Sequence, residues 1–521
     1  MTNDHGSPLQ RLCDYASADP SRPAFVMAKS GEVLSYAMLE ERSRRVAGYL
    51  QHMGLKRGDH IAMLMVNGLD CPVVALAAQR SGLYYTPLNY RLTQGEIEFI
   101  LRDCGATALV VSREVLDCAQ IVARESPQLT VLLTTGDGSD AFVSLSSVYA
   151  NGYYDETVLD ECEGDMMLYS SGTTGRPKGV VRTASFAPWG TPTRSERMLL
   201  TMYRMDRGTV LLSPAPLYHA APLGWAMAAI RSGATVVVMA KFDAVEALAA
   251  IEQYHVTHTL MVPTMFVRML ALPQAQRNLY DLASLRYVVH ASAPCSVHVK
   301  RQMIEWLGPV IHEFYAGSEG NGCCVVSTEE WLAHPGTVGR ALVGALHILD
   351  DDENEVPHGE VGMIYFSGLP PIEYHNDPEK SRSVLSKQGY TTLGDYGWVD
   401  QEGYLFIADR RTDLIISGGV NVYPRETEEV LAMHAAVFEV AVIGVPNPEF
   451  GQDVMAVVQL RPELHPSDQL RQDLIGFCRD NLAHYKCPKH LMFDELPRTE
   501  TGKLLRRVLK EKYARAEGGT S

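Results

Sequence analysis

The sequence predicts an α/β fold: a large N-terminal domain of layered α/β subdomains with mainly parallel sheets, followed by a small α+β C-terminal domain. Three observations carry this. Helical and strand patterns alternate along most of the chain, as they do where helices cover parallel sheets. The last stretch, about 110 residues and of ordinary size for a small domain, abandons that alternation. The chain has 521 residues, more than one hydrophobic core ordinarily serves. The expected boundary separates residues 1–411 from 412–521, within the charged run Asp409-Arg-Arg-Thr-Asp413.

Residues 36–53 place apolar side chains at helical spacing and end at Gly54 and the turn Lys56-Arg-Gly58. Residues 59–65 read as a strand, a helix follows through residue 78, and residues 84–88 form another short strand. Residues 165–170 read as a strand as well. Strand or strand–helix pieces recur at 108–119, 209–212, 234–250 and 257–270. Farther on, 424–434 reads as a helix opening on Pro424, with Glu426, Glu428 and Glu429 near its positive end. Residues 438–444 and 454–460 read as strands, and 470–482 as an amphipathic helix.

The hydrophobic fraction of 46% and charged fraction of 21% are those of a globular protein. A net charge of −16 argues against a general nucleic-acid binder. The start, Met1-Thr-Asn-Asp-His, is polar and carries no export signal. No apolar run approaches the roughly 20 residues of a membrane helix. The ending Gly518-Gly-Thr-Ser521 is not a peroxisomal tripeptide. The ten cysteines are scattered, with Cys323 beside Cys324 and no Cys-x2-Cys pair. They read as buried thiols in a reducing compartment. The cytoplasm is the expected location, without nucleic acid or a membrane span.

The most informative segment is Tyr169-Ser-Ser-Gly-Thr-Thr-Gly-Arg-Pro-Lys-Gly179. Ser170, Ser171, Gly172, Thr173, Thr174 and Gly175 offer backbone N–H groups and hydroxyls, and Lys178 adds a cation. Such a loop can surround a polyphosphate without a bulky side chain intervening. A Walker loop is excluded: Lys178 stands between Pro177 and Gly179, so no hydroxyl follows it to take magnesium. Taken alone, the cluster also reads as a surface turn.

Six further stretches follow in order: Pro216-Leu-Tyr-His-Ala220, Phe314-Tyr-Ala-Gly-Ser-Glu-Gly320, Thr392-Leu-Gly-Asp-Tyr396, Asp409-Arg-Arg-Thr-Asp413, Ile415-Ile-Ser-Gly-Gly-Val-Asn-Val-Tyr-Pro424 and Leu496-Pro-Arg-Thr-Glu-Thr-Gly-Lys503. Together with the loop they resemble the acyl-adenylate-forming superfamily, which includes acyl-CoA synthetases, peptide-synthetase adenylation domains and luciferases. The resemblance implies an AMP-forming acid–thiol ligase using ATP, Mg2+ and coenzyme A, and it leaves room for a homodimer. His219 would orient the carboxylate. Tyr315 would stack on adenine, Ser318 would contact phosphate, and Glu319, with Thr174, would hold the metal. Asp395 and Arg410 would bind the ribose. Gly418 and Gly419 would line the CoA tunnel, where the lack of side chains permits close backbone approach. Lys503 would be the critical cation, because carboxylate and triphosphate repel and charge develops as pyrophosphate leaves. Thr412 takes the hinge position, usually Asp or Lys, about which the small domain would turn. Ala316 replaces a common Gly, and Ser318 keeps the hydroxyl of the usual Thr.

The acyl pocket implied by the resemblance involves Leu223-Gly-Trp-Ala-Met-Ala-Ala229 and Val289-His-Ala-Ser-Ala-Pro294, with Trp225, Ala291, Ala316 and Gly317 against the acid. These segments are largely apolar and contain no Arg or Lys for a second carboxylate. A medium- or long-chain fatty acid, or a bulky polycyclic acid of steroid or terpenoid type, is the expected substrate. Glu330-Trp-Leu-Ala-His-Pro-Gly-Thr-Val-Gly339, with Ser318-Glu-Gly-Asn-Gly322, resembles bacterial fatty-acid and bile-acid CoA ligases. The alternatives are an aryl-acid CoA ligase, an enzyme for one half-reaction, such as loading a carrier protein, and a non-catalytic nucleotide-binding regulator. No carrier domain follows the small domain, which favours CoA as acceptor.

Overall fold

The computed structural model describes residues 11–517 except 153–159, 172–176, 182–183, 411, 418–419, 448 and 500–503. They form two compact units. The first comprises residues 1–261, 272–288 and 372–383, and the second 262–271, 289–371 and 384–521. The boundary expected at Thr412 falls inside the second unit.

The first unit carries the parallel sheets. One runs Val143–Ser144, Val131–Thr134, Ala106–Val111, His60–Leu64, Tyr84–Pro87, Asp165–Met166, every neighbour parallel. Its core is aliphatic, with Ala62, Leu64, Leu109 and Val111 all fully buried. In another group His258–Met261, Val210–Ser213, Thr235–Val238 and Pro23–Met27 are parallel, and Val33–Ser35 adds an antiparallel edge. The intervening helices follow from the sequence pattern. Helix Tyr36–His52 buries Leu39, Val46, Ala47 and Leu50 along one face. Ser35 caps it by accepting the Met38 amide at 3.2 Å, an interaction worth about 1 kcal/mol.

The second unit is antiparallel over residues 311–371 and 384–410. Strands Ile311–Ala316, Cys323–Val326 and Arg340–Val343 pair in succession. Ala345–Leu349, Gly362–Ser367, Asp395–Val399 and Leu405–Arg410 form a four-stranded sheet. Tight turns make this possible, since antiparallel strands need only a short connection. At one of them Asp400 Oδ1 accepts the Glu402 and Tyr404 amides, both at 2.9 Å.

Near the C-terminus Val420–Val422, Ile415–Ser417, Gly451–Leu460 and Val437–Asn447 pair antiparallel, and His490–Phe493 joins Gly451–Leu460 in parallel. Helices Pro424–Ala432 and Asp468–Asn481 match the expected positions. The strand Val437–Asn447 is longer than expected because it continues through Pro446. It is the outer strand of its sheet, where a residue without an N–H is tolerated. Helix Arg506–Glu517 has no counterpart in the sequence expectation. Among the described residues no helix is long and apolar enough to cross a membrane.

Candidate active site

The residues singled out from the sequence divide between the units. In the first, strands Leu168–Ser171 and Pro177–Val181 make an antiparallel hairpin with Lys178 opposite Ser170. Gly172, Thr173, Thr174 and Gly175 lie outside the described residues, as do the side chains of Ser170 and Ser171. The hairpin is fixed at its base. Tyr169 Oη donates to Asp103 Oδ2 at 2.5 Å. His375 Nε2 lies 2.9 Å from the Asp103 carbonyl oxygen. Gly179 is required by crowding: a Cβ there would approach Met167 Cε to 2.8 Å and His375 Cβ to 3.1 Å.

Two buried arginines anchor the chain on either side of this hairpin. Arg231 pairs with Glu163 at 2.7 Å and Glu196 at 2.8 Å. Arg80 pairs with Glu161 at 2.7 Å and Glu40 at 2.8 Å. Both guanidinium groups lie over the Trp189 ring, at 5.2 Å for Arg80 and 5.4 Å for Arg231. Charges removed from water require such partners. The network therefore ties residues 161–163 and 189 to helices Asp70–Arg80 and Ala220–Arg231.

His219 is the N-cap residue of helix Ala220–Arg231, with extended backbone at φ −94° and ψ 148°. Its ring packs on Tyr218 with centroids 4.4 Å apart. The turn before it hangs on Asn67, whose Oδ1 accepts the Leu217 amide at 2.8 Å. Asn67 Nδ2 donates to the carbonyls of Met239 at 2.8 Å and Ala215 at 3.2 Å. Nothing in the sequence beyond the turn pair Asn67-Gly68 marks this residue. Trp225 is 2% exposed and packs on Tyr203 at 4.7 Å.

In the second unit three predicted site residues meet. Asp395 opens one strand and Arg410 ends its neighbour, and the register sets them directly opposite. Arg410 Nε donates to Asp395 Oδ1 at 3.1 Å, and Tyr315 Oη donates to Asp395 Oδ2 at 2.7 Å. Asp395 is 3% exposed, while the Arg410 side chain is half-exposed. Burial, then Asp395, pushes the Tyr315 phenol well above its ordinary pKa. Asp395 raises that of Arg410, with smaller contributions that include Glu319.

Ala316 and Ser318 are exposed, and Gly317 and Glu319 half-buried. A Cβ on Gly317 would come within 2.7 Å of the Leu393 methyls and 2.9 Å of Glu319 Oε2, so glycine allows residues 316–319 to lie against the segment that delivers Asp395. Among the described residues no group of three or more His, Cys, Asp or Glu side chains could hold a metal ion.

Strand Ile311–Ala316 rests on a buried ion pair that the sequence did not announce. Lys300 Nζ donates to Glu313 Oε2 at 2.6 Å and lies 5.0 Å from the Trp331 ring centroid. His290 Nε2 lies 3.4 Å from the same carboxylate oxygen. Burial pushes Glu313 up, but the Lys300 charge outweighs it and holds the carboxyl below its ordinary pKa. Burial drops His290 to about 3, leaving it neutral. Ala291 follows it, buried, and Ser292 adopts φ 72°. Lys300→Met alone strands the Glu313 charge and is expected to cost about 3–5 kcal/mol. The double variant Lys300→Met/Glu313→Leu should recover most of that loss in denaturant unfolding. A double variant as unstable as the single would refute this account.

Thr412 is exposed, and its carbonyl accepts from Lys510 Nζ at 3.1 Å. Gly418, Gly419 and Lys503 lie outside the described residues.

Residues 13–369 match the AMP-binding enzyme family, and 426–503 match the AMP-binding enzyme C-terminal domain. A long-chain fatty-acid–CoA ligase of Mycobacterium tuberculosis is 32% identical over 516 residues, covering 96% of this chain and 98% of the relative. A medium/long-chain-fatty-acid–CoA/3-oxocholest-4-en-26-oate–CoA ligase of the same organism is 31% identical over 530 residues, covering 96% and 95%. Among solved structures, ATP-bound MatB from Rhodopseudomonas palustris superposes with a TM-score of 0.82 at 28% identity, covering 97% of this chain and 100% of that one. The chain belongs to the AMP-binding enzymes of the acyl-adenylate-forming superfamily and is an AMP-forming acid–thiol ligase.

Proposed function

We propose that this enzyme joins a hydrophobic carboxylic acid to coenzyme A through an acyl-adenylate. The acid's carboxylate attacks the α-phosphate of ATP, giving acyl-AMP and pyrophosphate. The CoA thiol then attacks the acyl carbonyl, giving acyl-CoA and AMP. The meeting of Tyr315, Asp395 and Arg410 carries this reading. A carboxylate has about four lone-pair sites. Tyr315 and Arg410 each take one, which leaves two for the pair of ribose hydroxyls.

The remaining roles follow from placement. The hairpin bearing Lys178 cradles the phosphates, and Ser170, Ser171, Gly172, Thr173, Thr174 and Gly175 supply the amides and hydroxyls for them. His219 orients the acid's carboxylate from the start of its helix, Ser318 contacts phosphate, and Tyr315 lies along adenine. With no metal cage among the described residues, Mg2+ fits Glu319 and Thr174 only if the nucleotide supplies further oxygens, as hard dications accept. Gly418 and Gly419 line the CoA tunnel and Lys503 steadies the α-phosphate. Both belong to a small domain, residues 412–521, that turns about Thr412 between half-reactions.

The names of the two mycobacterial relatives support a medium- or long-chain fatty acid or a steroid-type acid as substrate, and Trp225, Ala291, Ala316 and Gly317 are assigned to its pocket. Ten free thiols support a reducing compartment, and we place the enzyme in the cytoplasm. The test is incubation with ATP, Mg2+, CoA and a panel of fatty, steroid and aryl acids, with acyl-AMP and acyl-CoA read by mass spectrometry. Acyl-CoA and AMP from the hydrophobic acids are expected. Acyl-AMP without thioester would transfer the reading to a carrier-loading enzyme. Thioester only from supplied acyl-AMP would restrict it to the second half-reaction.

A further inference from the structure

We propose that Arg425 is a positioning residue that latches the small domain in one of its two working orientations. The proposal rests on the two-step reading above. It begins from a helix end that its own sequence leaves uncapped. Helix Pro424–Ala432 has Tyr423 as its N-cap residue, which makes no side-chain capping bond. Free amides at a helix start need an acceptor. Here the acceptor is Asp409, from the far side of Thr412: its Oδ2 accepts the Arg425 amide at 3.2 Å. Asp409 is 8% exposed, and its Oδ1 accepts the Arg410 amide at 2.8 Å. A carboxylate at this end is also favoured by the helix dipole.

The Arg425 side chain adds a second tie in the same direction. Nη1 donates to the Ile407 carbonyl at 2.8 Å, while Nε pairs with Glu429 Oε1, one turn along, at 2.9 Å. The Arg425 side chain is 13% exposed. Its charge also acts on Glu313, within strand Ile311–Ala316.

What makes this a latch is where the partners lie in the chain. Ile407 and Asp409 precede Thr412, and Arg425 follows it. A rotation at Thr412 that carries helix Pro424–Ala432 off strand Leu405–Arg410 must break both bonds. Other ties near the hinge behave differently. Arg506 pairs with Glu428 and lies 3.9 Å from Asp413 Oδ2, and Lys510 lies 3.7 Å from Asp413 Oδ1. All of these groups lie beyond Thr412 and would move together. Arg506 also acts through its charge on Asp409, but its ion pairs, like that of Lys510, stay beyond Thr412, whereas the hydrogen bonds of Arg425 cross it and distinguish one orientation from the other.

The test separates the half-reactions in the full-length enzyme. Pyrophosphate release from dodecanoate and ATP–Mg2+ reads the first, and dodecanoyl-CoA formed from supplied dodecanoyl-AMP reads the second. In Arg425→Ala one rate should fall and the other hold or rise, shifting their ratio by about tenfold, the weight of one charge-assisted hydrogen bond. Arg425→Lys, which keeps the charge but not the planar fork, should restore part of the ratio. Both rates falling in proportion, or an unchanged ratio, would overturn the latch. A wild-type enzyme silent in either assay would overturn the two-step reading instead. The latch would then be judged by trypsin cleavage after Arg410 and Arg411. Cleavage about tenfold faster in Arg425→Ala, at an unchanged unfolding midpoint, supports it. An unchanged cleavage rate refutes it.

Discussion

Asp395→Ala is expected to lower kcat/KM for ATP by about 10^2-fold, since on the proposed reading it removes two charge-assisted hydrogen bonds to the ribose, and it also removes the anchor for its own neighbours. Tyr315 Oη loses its acceptor, and the Arg410 guanidinium, already half-exposed, can turn to solvent. The ring and the cation would both lose their fixed positions. Asp395→Asn keeps one acceptor and should cost about tenfold. The discriminating measurement is steady-state kinetics with ATP and the acid varied in turn. The loss should appear in the ATP dependence and leave the KM for the acid within about twofold, a shift too small to signal a lost hydrogen bond. An Asp395→Ala enzyme with an unaltered ATP dependence would remove this residue from the nucleotide site.

Lys503→Ala is expected to remove about 10^3-fold of the adenylation rate while sparing the second half-reaction. The reasoning is electrostatic. An anionic carboxylate must approach an anionic triphosphate, and further charge gathers on the departing pyrophosphate. On the proposed reading Lys503 is the preorganised cation that counters both. Lys178 and Arg410 remain in the variant, but on that reading neither replaces the charge assigned to Lys503. Pyrophosphate release should collapse, and thioester formation from supplied acyl-AMP should persist. Equal losses in both assays would show that one orientation serves both steps. Full activity in the variant would leave the catalytic cation to be found elsewhere.

The parts of this molecule legible in the sequence are those governed by local rules. Helix Tyr36–His52 follows from its spacing and the Gly54 that ends it, and strand His60–Leu64 from its apolar run. The Asp395–Arg410 pair was legible as two motif residues, and a hairpin supplies the contact between them. The anchors were not legible. Asn67 supports a turn 150 residues away, Arg231 reaches Glu163 across 68, and Lys300 lies 13 from Glu313. A buried charge looks like any surface Lys or Arg until the fold supplies its partner. The cap on helix Pro424–Ala432 was hidden for the same reason, because Asp409 reads as part of a charged turn. The antiparallel sheets of residues 311–410 also escaped, since their strands are short and their turns resemble ordinary polar loops.

The hairpin joining Asp395 to Arg410 has a consequence for how this sequence can drift. The two residues proposed to bind the ribose sit at its open end, and the Asp400–Tyr404 turn sits at the closed end. Extra residues at the turn would lengthen a loop and leave the pair opposed. A residue gained or lost within either strand would move one partner by about 3.4 Å and send its side chain to the other face. The hairpin thus acts as a ruler: relatives should vary in length at residues 400–404 and hold constant the number of residues in each arm.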